Sequence, residues 1–239
     1  GMHGTKTSSL TIGECDLMIV LGSRFSDRVS CNPNTFAKGK KILHIDIDPA
    51  EVNKNIIVDA NVIGNLSVIL EELNKRLPQQ NHSHWMNQVY KWKEEYPVVM
   101  TSENDEDVLP QYVIETLDKL TGGNAIISTE VGQHQMWAAQ FYNFRLARSF
   151  ATSGGLGTMG YGLGAAIGAK VGNPDRTVVN IAGDGSFYMN LTELSTMAKY
   201  NIPVIELILN NSVLGMVRQW QRLFYDKRFS NTNIDKGTD

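Results

Sequence analysis

Short apolar runs followed by glycine or polar residues recur along the chain, and they predict buried strands of a parallel sheet. One run covers residues 178–182 and is followed by Gly183-Asp184-Gly185-Ser186. The next covers residues 204–209 and is followed by Asn210-Asn211, while the segment 191–200 between them has helix-forming composition. This strand, helix and strand order brings both polar ends to the same edge of a sheet.

The amino-terminal part of the chain shows the same pattern. Asp16 to Leu21 is an apolar run bounded by Gly22, and it predicts a strand buried on both faces. The stretch from Lys41 to Pro49 predicts a second strand, which ends in acidic residues and is stopped by the proline. An acidic residue at such a strand end is common in nucleotide sites, but the GxGxxG fingerprint is absent. These residues alone therefore indicate a generic α/β crossover.

Helical periodicity separates the two sets of strands. An apolar stripe at helical spacing predicts a helix that Pro78 ends: Leu66, Ile69, Leu70, Leu73 and Leu77. A second, aromatic stripe is more typical of packing than of a cofactor site: Trp85, Val89, Trp92 and Tyr96. We predict an α/β protein of two doubly wound, Rossmann-like parallel-sheet domains. Their predicted bounds are 1–78 and 105–239, with a linker at 79–104.

The second domain is predicted to open with a helix through Val113, Ile114 and Leu117 and to turn at two glycines into the strand 124–128. The end of this strand carries Gln133 and His134. A histidine in this position is equally typical of a capping or core residue. A glycine-rich segment follows from residue 153 to 169, and its glycines predict close approach of the backbone to a neighbour or a ligand.

Composition excludes several classes of protein. The chain has 239 residues, 42% of them hydrophobic, and a net charge of -3, which fits a globular protein and argues against a nucleic-acid-binding surface. No apolar run reaches the length of a membrane span, and no signal-peptide pattern opens the chain. Cys15 and Cys31 form no CxxC pair, as expected in a reducing cytoplasm. We therefore expect a cytoplasmic protein without membrane or nucleic-acid partners.

The two polar strand ends predict a magnesium site. The Asp184 carboxylate, the Asn211 amide oxygen and the Val213 carbonyl are oxygen ligands of the kind that Mg²⁺ prefers, and the metal keeps phosphate oxygens in its other positions. The helix after Gly185 offers backbone N–H groups to the same phosphate. Gly-Asp-Gly alone is typical of an ordinary turn, and the downstream Asn-Asn pair favours the metal site.

The sequence GDGSFYMN at 183–190, followed by LNNSVLGMVRQW at 209–220, resembles the diphosphate-binding motif of thiamine-diphosphate enzymes. The resemblance is closer still to the large catalytic subunit of biosynthetic acetolactate synthase, also called acetohydroxyacid synthase. It implies Mg²⁺ ligation by the side chains of Asp184 and Asn211 and by the carbonyl of Val213. It also implies thiamine diphosphate contacts at Gln133, His134, Gly157, Met159, Gly183, Gly185, Ser186, Gly215 and Met216.

The resemblance assigns two further roles. It implies that Met159 props the bent cofactor between its two rings. It also places Trp220 and Met216 in the substrate-access channel, and it implies that Trp220 contributes to the preference for the second substrate. The spacing of Met216 and Trp220, one helical turn apart, is equally typical of interface packing.

Four segments of the first half are similar to those that bind FAD in the biosynthetic enzymes: residues 3–5, 22–28, 44–48 and 58–60. The resemblance implies FAD contacts at His3, Gly4, Gly22, Ser23, Arg24, Asp27, Arg28, Asp46, Ile47, Asp59 and Ala60. Ser26 departs from the family, which commonly has an acidic residue there, and this leaves the flavin affinity open. In this family FAD is structural and takes no net redox part.

The resemblance implies a transferase of branched-chain amino acid biosynthesis. Such enzymes decarboxylate pyruvate and condense the product with pyruvate or 2-oxobutyrate, as homodimers or homotetramers with a regulatory small subunit. The glutamate that protonates the cofactor belongs to a pyrimidine-binding domain of which this chain carries no part. We therefore expect a fragment with no catalytic residue of its own and no synthase activity. Two alternatives stay open: another thiamine-diphosphate enzyme of the pyruvate oxidase or glyoxylate carboligase type, and a non-catalytic binding module.

Overall fold

The computed structural model describes residues 1, 3–102, 104 and 106–234, and it divides into two compact units. Unit 1 comprises Gly1–Val98 and unit 2 comprises Val99–Asp239. This division lies within the segment 79–104 for which we expected a linker, and Asp105, the expected start of the second domain, lies outside the described residues. Both units contain parallel sheets with helices, which confirms the α/β class.

Unit 1 is built on a three-stranded parallel sheet of order β1-β2-β3. The strands are β1 (Leu17–Leu21), β2 (Lys41–Asp46) and β3 (Ala60–Ile63). The first two were predicted from their apolar runs, whereas β3 was not. The core beside the sheet comprises Val20, Phe25, Ile42 and Ile56.

The prediction that β1 is buried on both faces is wrong. β1 is an edge strand that pairs only with β2 among the described residues, and alternate side chains on it are exposed. Leu17, Ile19 and Leu21 are 52%, 50% and 42% exposed. A continuous apolar run predicts a strand, but it does not predict whether another element covers the second face of that strand.

The helices of unit 1 are α1 (Lys6–Glu14), α2 (Asp27–Ser30), α3 (Pro33–Phe36), α4 (Leu66–Arg76) and α5 (Ser83–Glu95), with a 3-10 turn at Pro49–Glu51. The predicted stop of α4 before Pro78 is confirmed. On α5 the rings of Trp85 and Trp92 pack edge to face at 5.9 Å, and the Thr7 hydroxyl of α1 donates to the Trp92 carbonyl at 3.2 Å. The aromatic stripe therefore packs within unit 1.

Unit 2 contains a four-stranded parallel sheet of order β5-β4-β6-β7. Its strands are β4 (Ile126–Thr129), β5 (Phe150–Thr152), β6 (Val178–Gly183) and β7 (Ile205–Leu209). From β4 the chain passes to β5 on one side of it and then returns to form β6 on its other side. The strand order therefore reverses between β4 and β6. This reversal makes the second sheet doubly wound, whereas the strands of unit 1 follow chain order.

The helices of unit 2 cover both faces of its sheet. They are α6 (Pro110–Thr121), α7 (Gln133–Phe141), α8 (Gly162–Gly172), α9 (Asp184–Phe187), α10 (Leu194–Tyr200) and α11 (Gly215–Phe224), with a 3-10 turn at Leu191–Glu193. On one face α6 and α7 pack with Ile127, Val179 and Ile181, and on the other Ala166 of α8 packs with Ile126 and Val178. None of the described helices is long and apolar enough to cross a membrane.

The glycine-rich segment approaches its neighbours closely at only some of its positions. A Cβ at Gly162 would lie 2.6 Å from the Glu130 nitrogen and 2.7 Å from the Thr129 carbonyl carbon, so α8 begins directly against the end of β4. A Cβ on Gly164 or Gly168 would face open space, because no heavy atom of another described element lies within 4 Å of it. The predicted close approach therefore holds at the start of α8 and fails farther along it.

Candidate functional site

A cavity that opens to solvent lies at the carboxyl ends of the unit 2 strands, beside the reversal between β4 and β6. Ligands of open α/β sheets bind at this place because the loops after the two strands diverge there. The cavity brings together most of the residues predicted for thiamine diphosphate and Mg²⁺: Gln133, His134, Met159, Gly183, Asp184, Gly185, Ser186, Asn211, Val213, Gly215 and Met216.

Two glycines of this cavity make room for the His134 ring. A Cβ on Gly183 would lie 2.9 Å from the imidazole Nδ1, and a Cβ on Gly132 would lie 2.7 Å from its Cε1. Both distances are shorter than a Cβ tolerates, so the ring occupies space that any larger residue would take. The glycine after β6 therefore serves the packing of His134 as well as the turn into α9.

His134 is neutral at physiological pH. Its side chain is buried, and burial lowers its pKa to about 4, while a hydrogen bond to the Glu130 backbone carbonyl acts in the opposite direction. The other ring nitrogen, Nε2, is buried and has no hydrogen-bond partner among the described residues. His134 is thus both a buried histidine and a lining residue of the cavity, with one nitrogen unsatisfied.

The three predicted metal ligands line the same cavity. Asp184 is 7% exposed and opens α9, directly after β6. Asn211 follows β7, and its Oδ1 accepts a hydrogen bond from the Val213 nitrogen at 3.1 Å. Among the described residues no three His, Cys, Asp or Glu side chains form a metal cluster. A carboxylate, an amide oxygen and a backbone carbonyl are a donor set that fits Mg²⁺ with phosphate oxygens completing its coordination.

A distant segment holds the turn that carries Asn211 and Val213. The Leu214 nitrogen donates to the Thr232 carbonyl at 2.8 Å, and the Ile234 nitrogen donates to the Ser212 carbonyl at 3.0 Å. Ser212 has a φ of +57°, a conformation that costs a non-glycine residue energy and is maintained here by these bonds. The turn is therefore stabilised by contacts that the local sequence does not predict.

Helix α11 meets the start of α7 across the cavity. The Gln133 side-chain nitrogen donates to the Gln219 oxygen at 2.9 Å. A Cβ on Gly215 would collide with the Gln133 Oε1, so a larger residue at the start of α11 would displace the Gln133 side chain. The two helices consequently approach each other through two glutamines and a glycine.

Two predicted residues lie outside the lining of this cavity. Trp220 is one turn beyond Met216 on α11, and its ring packs against Phe224 at 5.0 Å. Gly157 is exposed, with a φ of +72°, and a Cβ there would lie 3.9 Å from a methyl carbon of Val131, which does line the cavity. The structure therefore places both residues near the cavity rather than in its wall.

The cavity also contains residues that the sequence analysis did not single out, among them Trp137 and Leu214. Trp137 lies four positions after Gln133 on α7, and this helical spacing was a signal that could have identified it. Gln219 and Glu130 had no such signal, because their partners are far away in sequence.

The residues predicted for FAD lie in unit 1, and several gather at the carboxyl ends of β1 and β2. Gly22 follows β1 with a φ of +60°, and Ser23 and Arg24 follow it. Asp46 ends β2: its Oδ1 accepts from the Asp48 nitrogen at 2.9 Å, and its Oδ2 lies 3.5 Å from the His44 Nε2. Ile47, the next residue, is 70% exposed.

The remaining predicted flavin residues lie elsewhere in unit 1. Asp27 and Arg28 form an exposed ion pair on α2. His3, one residue before Gly4, is near this pair, since burial and then the Arg28 charge lower the pKa of its imidazole.

Asp59 and Ala60 occupy the opposite end of the sheet. The Asp59 Oδ2 accepts a hydrogen bond from the Ile42 nitrogen at 2.8 Å, so this carboxylate joins the amino ends of β2 and β3. Ile42 precedes Asp46 by four residues of strand, about 13 Å. The structure thus divides the predicted flavin residues between two ends of the sheet.

Comparison with known proteins identifies both parts of the chain. Residues 1–73 match the profile described as thiamine pyrophosphate enzyme, central domain. Residues 130–239 match the profile described as thiamine pyrophosphate enzyme, C-terminal TPP binding domain. The second match contains the cavity-forming loops after β4, β6 and β7.

Similar proteins include the acetolactate synthase large subunit of Cyanidium caldarium, which is 44% identical over 99% of this chain and 41% of its own length. The corresponding protein of Pyropia yezoensis is 43% identical over 99% of the chain and 41% of its own length. The chloroplastic acetolactate synthase of Arabidopsis thaliana is 47% identical over 97% of the chain and 35% of its own length. The chain thus spans between 35% and 41% of the length of these relatives. It belongs to the thiamine pyrophosphate enzymes, and within that family it is similar along almost its whole length to acetolactate synthase large subunits.

Proposed function

We propose that this chain is the diphosphate-binding part of an acetolactate synthase and that its cavity in unit 2 holds thiamine diphosphate through Mg²⁺. The observation that supports this most directly is the convergence of Asp184, Asn211 and Val213 on one cavity at the reversal of strand order. The match of this part of the chain to a TPP binding domain supports the same ligand.

Each group around the cavity has a chemical task in this proposal. The side chains of Asp184 and Asn211 and the carbonyl of Val213 hold the metal, and the backbone amides of Gly185 and Ser186 at the start of α9 donate to the diphosphate. Met159 and Met216 provide an apolar wall. Thiamine diphosphate, when bound, supplies the chemistry that decarboxylates a 2-oxo acid, and the protein contributes binding and orientation.

The substrates and partners of the whole enzyme are part of the proposal. We propose that the parent protein condenses pyruvate with pyruvate or 2-oxobutyrate, because the similar proteins are named acetolactate synthases. The name large subunit in several relatives supports a small-subunit partner, and we propose a homodimeric or homotetrameric assembly. We place the protein in a reducing cytoplasm, in keeping with its free Cys15 and Cys31.

A thermal-shift titration with thiamine diphosphate tests the binding site. A ligand at ten times its Kd stabilises a protein by about 1.4 kcal/mol, so the transition of the purified chain should rise with cofactor in the presence of Mg²⁺ and not in the presence of EDTA. Asp184→Asn should remove the effect of Mg²⁺. Asp175→Asn, an exposed carboxylate of the same unit, is the matched control and should behave as the wild type. A wild-type chain without cofactor-linked stabilisation would support the non-catalytic module instead.

Product analysis tests the reaction. The full-length protein should convert pyruvate to acetolactate, while the 239-residue chain alone should not. Hydrogen peroxide as a product would identify an oxidase, and tartronate semialdehyde from glyoxylate would identify a carboligase. Turnover of pyruvate by the isolated chain would contradict our view that the catalytic glutamate lies outside it.

We also propose that FAD binds to unit 1 through the groups at the carboxyl ends of β1 and β2, with Gly22, Arg24 and Asp46 as its main contacts. The positive φ of Gly22 and the position of Asp46 support this, whereas the strand-joining bond of Asp59 is structural. Flavin absorbance retained by the full-length protein after gel filtration should be lost in Asp46→Ala. Asp16→Ala, at the amino end of β1, is the control.

A further inference from the structure

Glu130 follows β4 and carries a completely buried carboxylate that is surrounded by backbone N–H groups. The Gly160 nitrogen donates to its Oε2 at 2.6 Å, and the Leu163 nitrogen donates to its Oε1 at 3.1 Å. The backbone amides of Tyr161 and Gly162 also hydrogen bond to it, and these bonds oppose the rise of its pKa that burial causes. One side chain thus satisfies the amides at the start of α8, which have no partner within the helix.

The same amides belong to the turn that carries Met159 into the cavity wall. Gly160 follows Met159 directly, has a φ of +88°, and its carbonyl accepts a hydrogen bond from the Asn190 side chain at 2.5 Å. The position of Met159 therefore depends on how firmly the next residue is held. Glu130 holds that residue by its N–H group, and Asn190 holds it by its carbonyl.

Glu130 also acts on a second cavity residue through its backbone. Its carbonyl accepts the hydrogen bond from the His134 imidazole. A Cβ on Gly162 would lie 2.6 Å from the Glu130 nitrogen, so the start of α8 rests directly on this residue. The side chain of Glu130 fixes the turn on one side of the cavity, and its carbonyl fixes the ring on another.

We propose that Glu130 is a positioning residue: its carboxylate is a built-in anion at the start of α8 that holds the Met159 turn against the proposed cofactor cavity. The proposal rests on the proposed function only where it concerns the cofactor. A carboxylate accepts hydrogen bonds with both oxygens, whereas the carboxamide of glutamine accepts with one and presents N–H groups with the other end. Glu130→Gln therefore keeps the shape of the side chain and sets donors against donors at Gly160 or Leu163.

The methyl group of Met159 reports on this turn. In the 239-residue chain labelled at its methionine methyl groups, Met159→Leu assigns the resonance, and Glu130→Gln should shift and broaden it while Met18 of unit 1 stays unchanged. Glu115→Gln is the matched control, because it alters a partly buried carboxylate on α6 that accepts a hydrogen bond from Gln111 and is not among the residues that line the cavity. Affinity for Mg²⁺ and thiamine diphosphate should fall by about tenfold in Glu130→Gln and remain at the wild-type value in the control.

A purely structural role for Glu130 would lower the unfolding midpoint and leave both the Met159 resonance and the affinity as in the control, and that result would overturn the proposal. If Glu130→Gln does not fold, amide exchange and chemical shifts of the wild-type chain test the proposal instead. Its Gly160 and Leu163 amide protons should exchange slowly and resonate downfield, and rapid exchange at both would overturn the proposal. If the wild type binds no cofactor, the proposed function fails, but the Met159 resonance still tests the role of Glu130.

Discussion

Glu206 should make unit 2 less stable at high pH than at low pH. This residue lies on β7, in register with Asn180 of β6, whose side-chain nitrogen donates to its Oε2 at 2.8 Å. The other oxygen, Oε1, and the Oδ1 of Asn180 are both buried, and neither has a hydrogen-bond partner in the part of the chain that the structure describes. Burial raises the pKa of Glu206 to about 7; the bond from Asn180 opposes this, and the Glu130 charge adds to it.

The sign of the effect follows from the direction of this shift. The ordinary pKa of the group is 4.5, so between 4.5 and about 7 the folded protein binds more protons than the unfolded chain. Its free energy of unfolding therefore falls as the pH rises through this window, and the loss is complete above it. One pKa unit corresponds to about 1.4 kcal/mol, which limits the loss to about 3.5 kcal/mol. Because the side chain is only partly buried, solvent screening reduces the expected loss to about 1 to 2 kcal/mol.

Glu206→Gln removes this titration. Its carbonyl oxygen can still accept from Asn180, and its amide can donate to the unsatisfied Asn180 Oδ1. Urea denaturation should show the variant to be about 1 to 2 kcal/mol more stable than the wild type at pH 8 and close to it at pH 5. Glu106→Gln, at an exposed carboxylate of unit 2, should show no such pH dependence. Equal effects at the two pH values, or a less stable variant at pH 8, would refute the reasoning.

Substitutions of two cavity glycines, Gly183 and Gly215, test the geometry of the cavity, and Gly164 on α8 provides a comparison. Gly183→Ala places a methyl group 2.9 Å from the His134 Nδ1 and should lower the free energy of unfolding by about 1–3 kcal/mol. Gly164→Ala places its methyl group in open space beside α8 and should raise the free energy of unfolding by about 0.5–1 kcal/mol. Urea denaturation measures both changes, and equal losses of stability in the two variants would contradict the packing argument. Gly215→Ala should push Gln133 away from Gln219 and weaken the binding of thiamine diphosphate, measured by calorimetry; unchanged affinity would show that Gln133 does not contact the ligand.

The strands and the edge of the sheet where the site lies could be predicted from local sequence. Runs of five or six mostly apolar residues between turn residues favour strands of a parallel sheet, and β6 and β7 lie within one residue of their predicted bounds. Because parallel strands end at the same edge, the positions of Asp184 and Asn211 followed as well. Both residues line the same cavity.

The first unit shows where local pattern is insufficient. The apolar run of β1 carries no information about its neighbours, and its exposed Leu17, Ile19 and Leu21 depend on what packs beside the strand. Asp59 was grouped with the flavin segments, but its carboxylate joins two strands at the far end of the sheet. Whether a polar residue serves a ligand or the backbone depends on which end of a strand it occupies, and this requires the register.

The sequence by itself determined the α/β class, the approximate positions of β1, β2, β4, β6 and β7, and the chemical types of the proposed metal ligands, because these depend on short-range periodicity and on residue type. Only the tertiary structure showed that the cavity lies where the strand order reverses, between β4 and β6. It also revealed the contacts of Glu130 with Gly160 and of Gln133 with Gln219, whose partners lie 30 and 86 residues apart. Such contacts arise when packing brings distant segments together, and no local pattern encodes them.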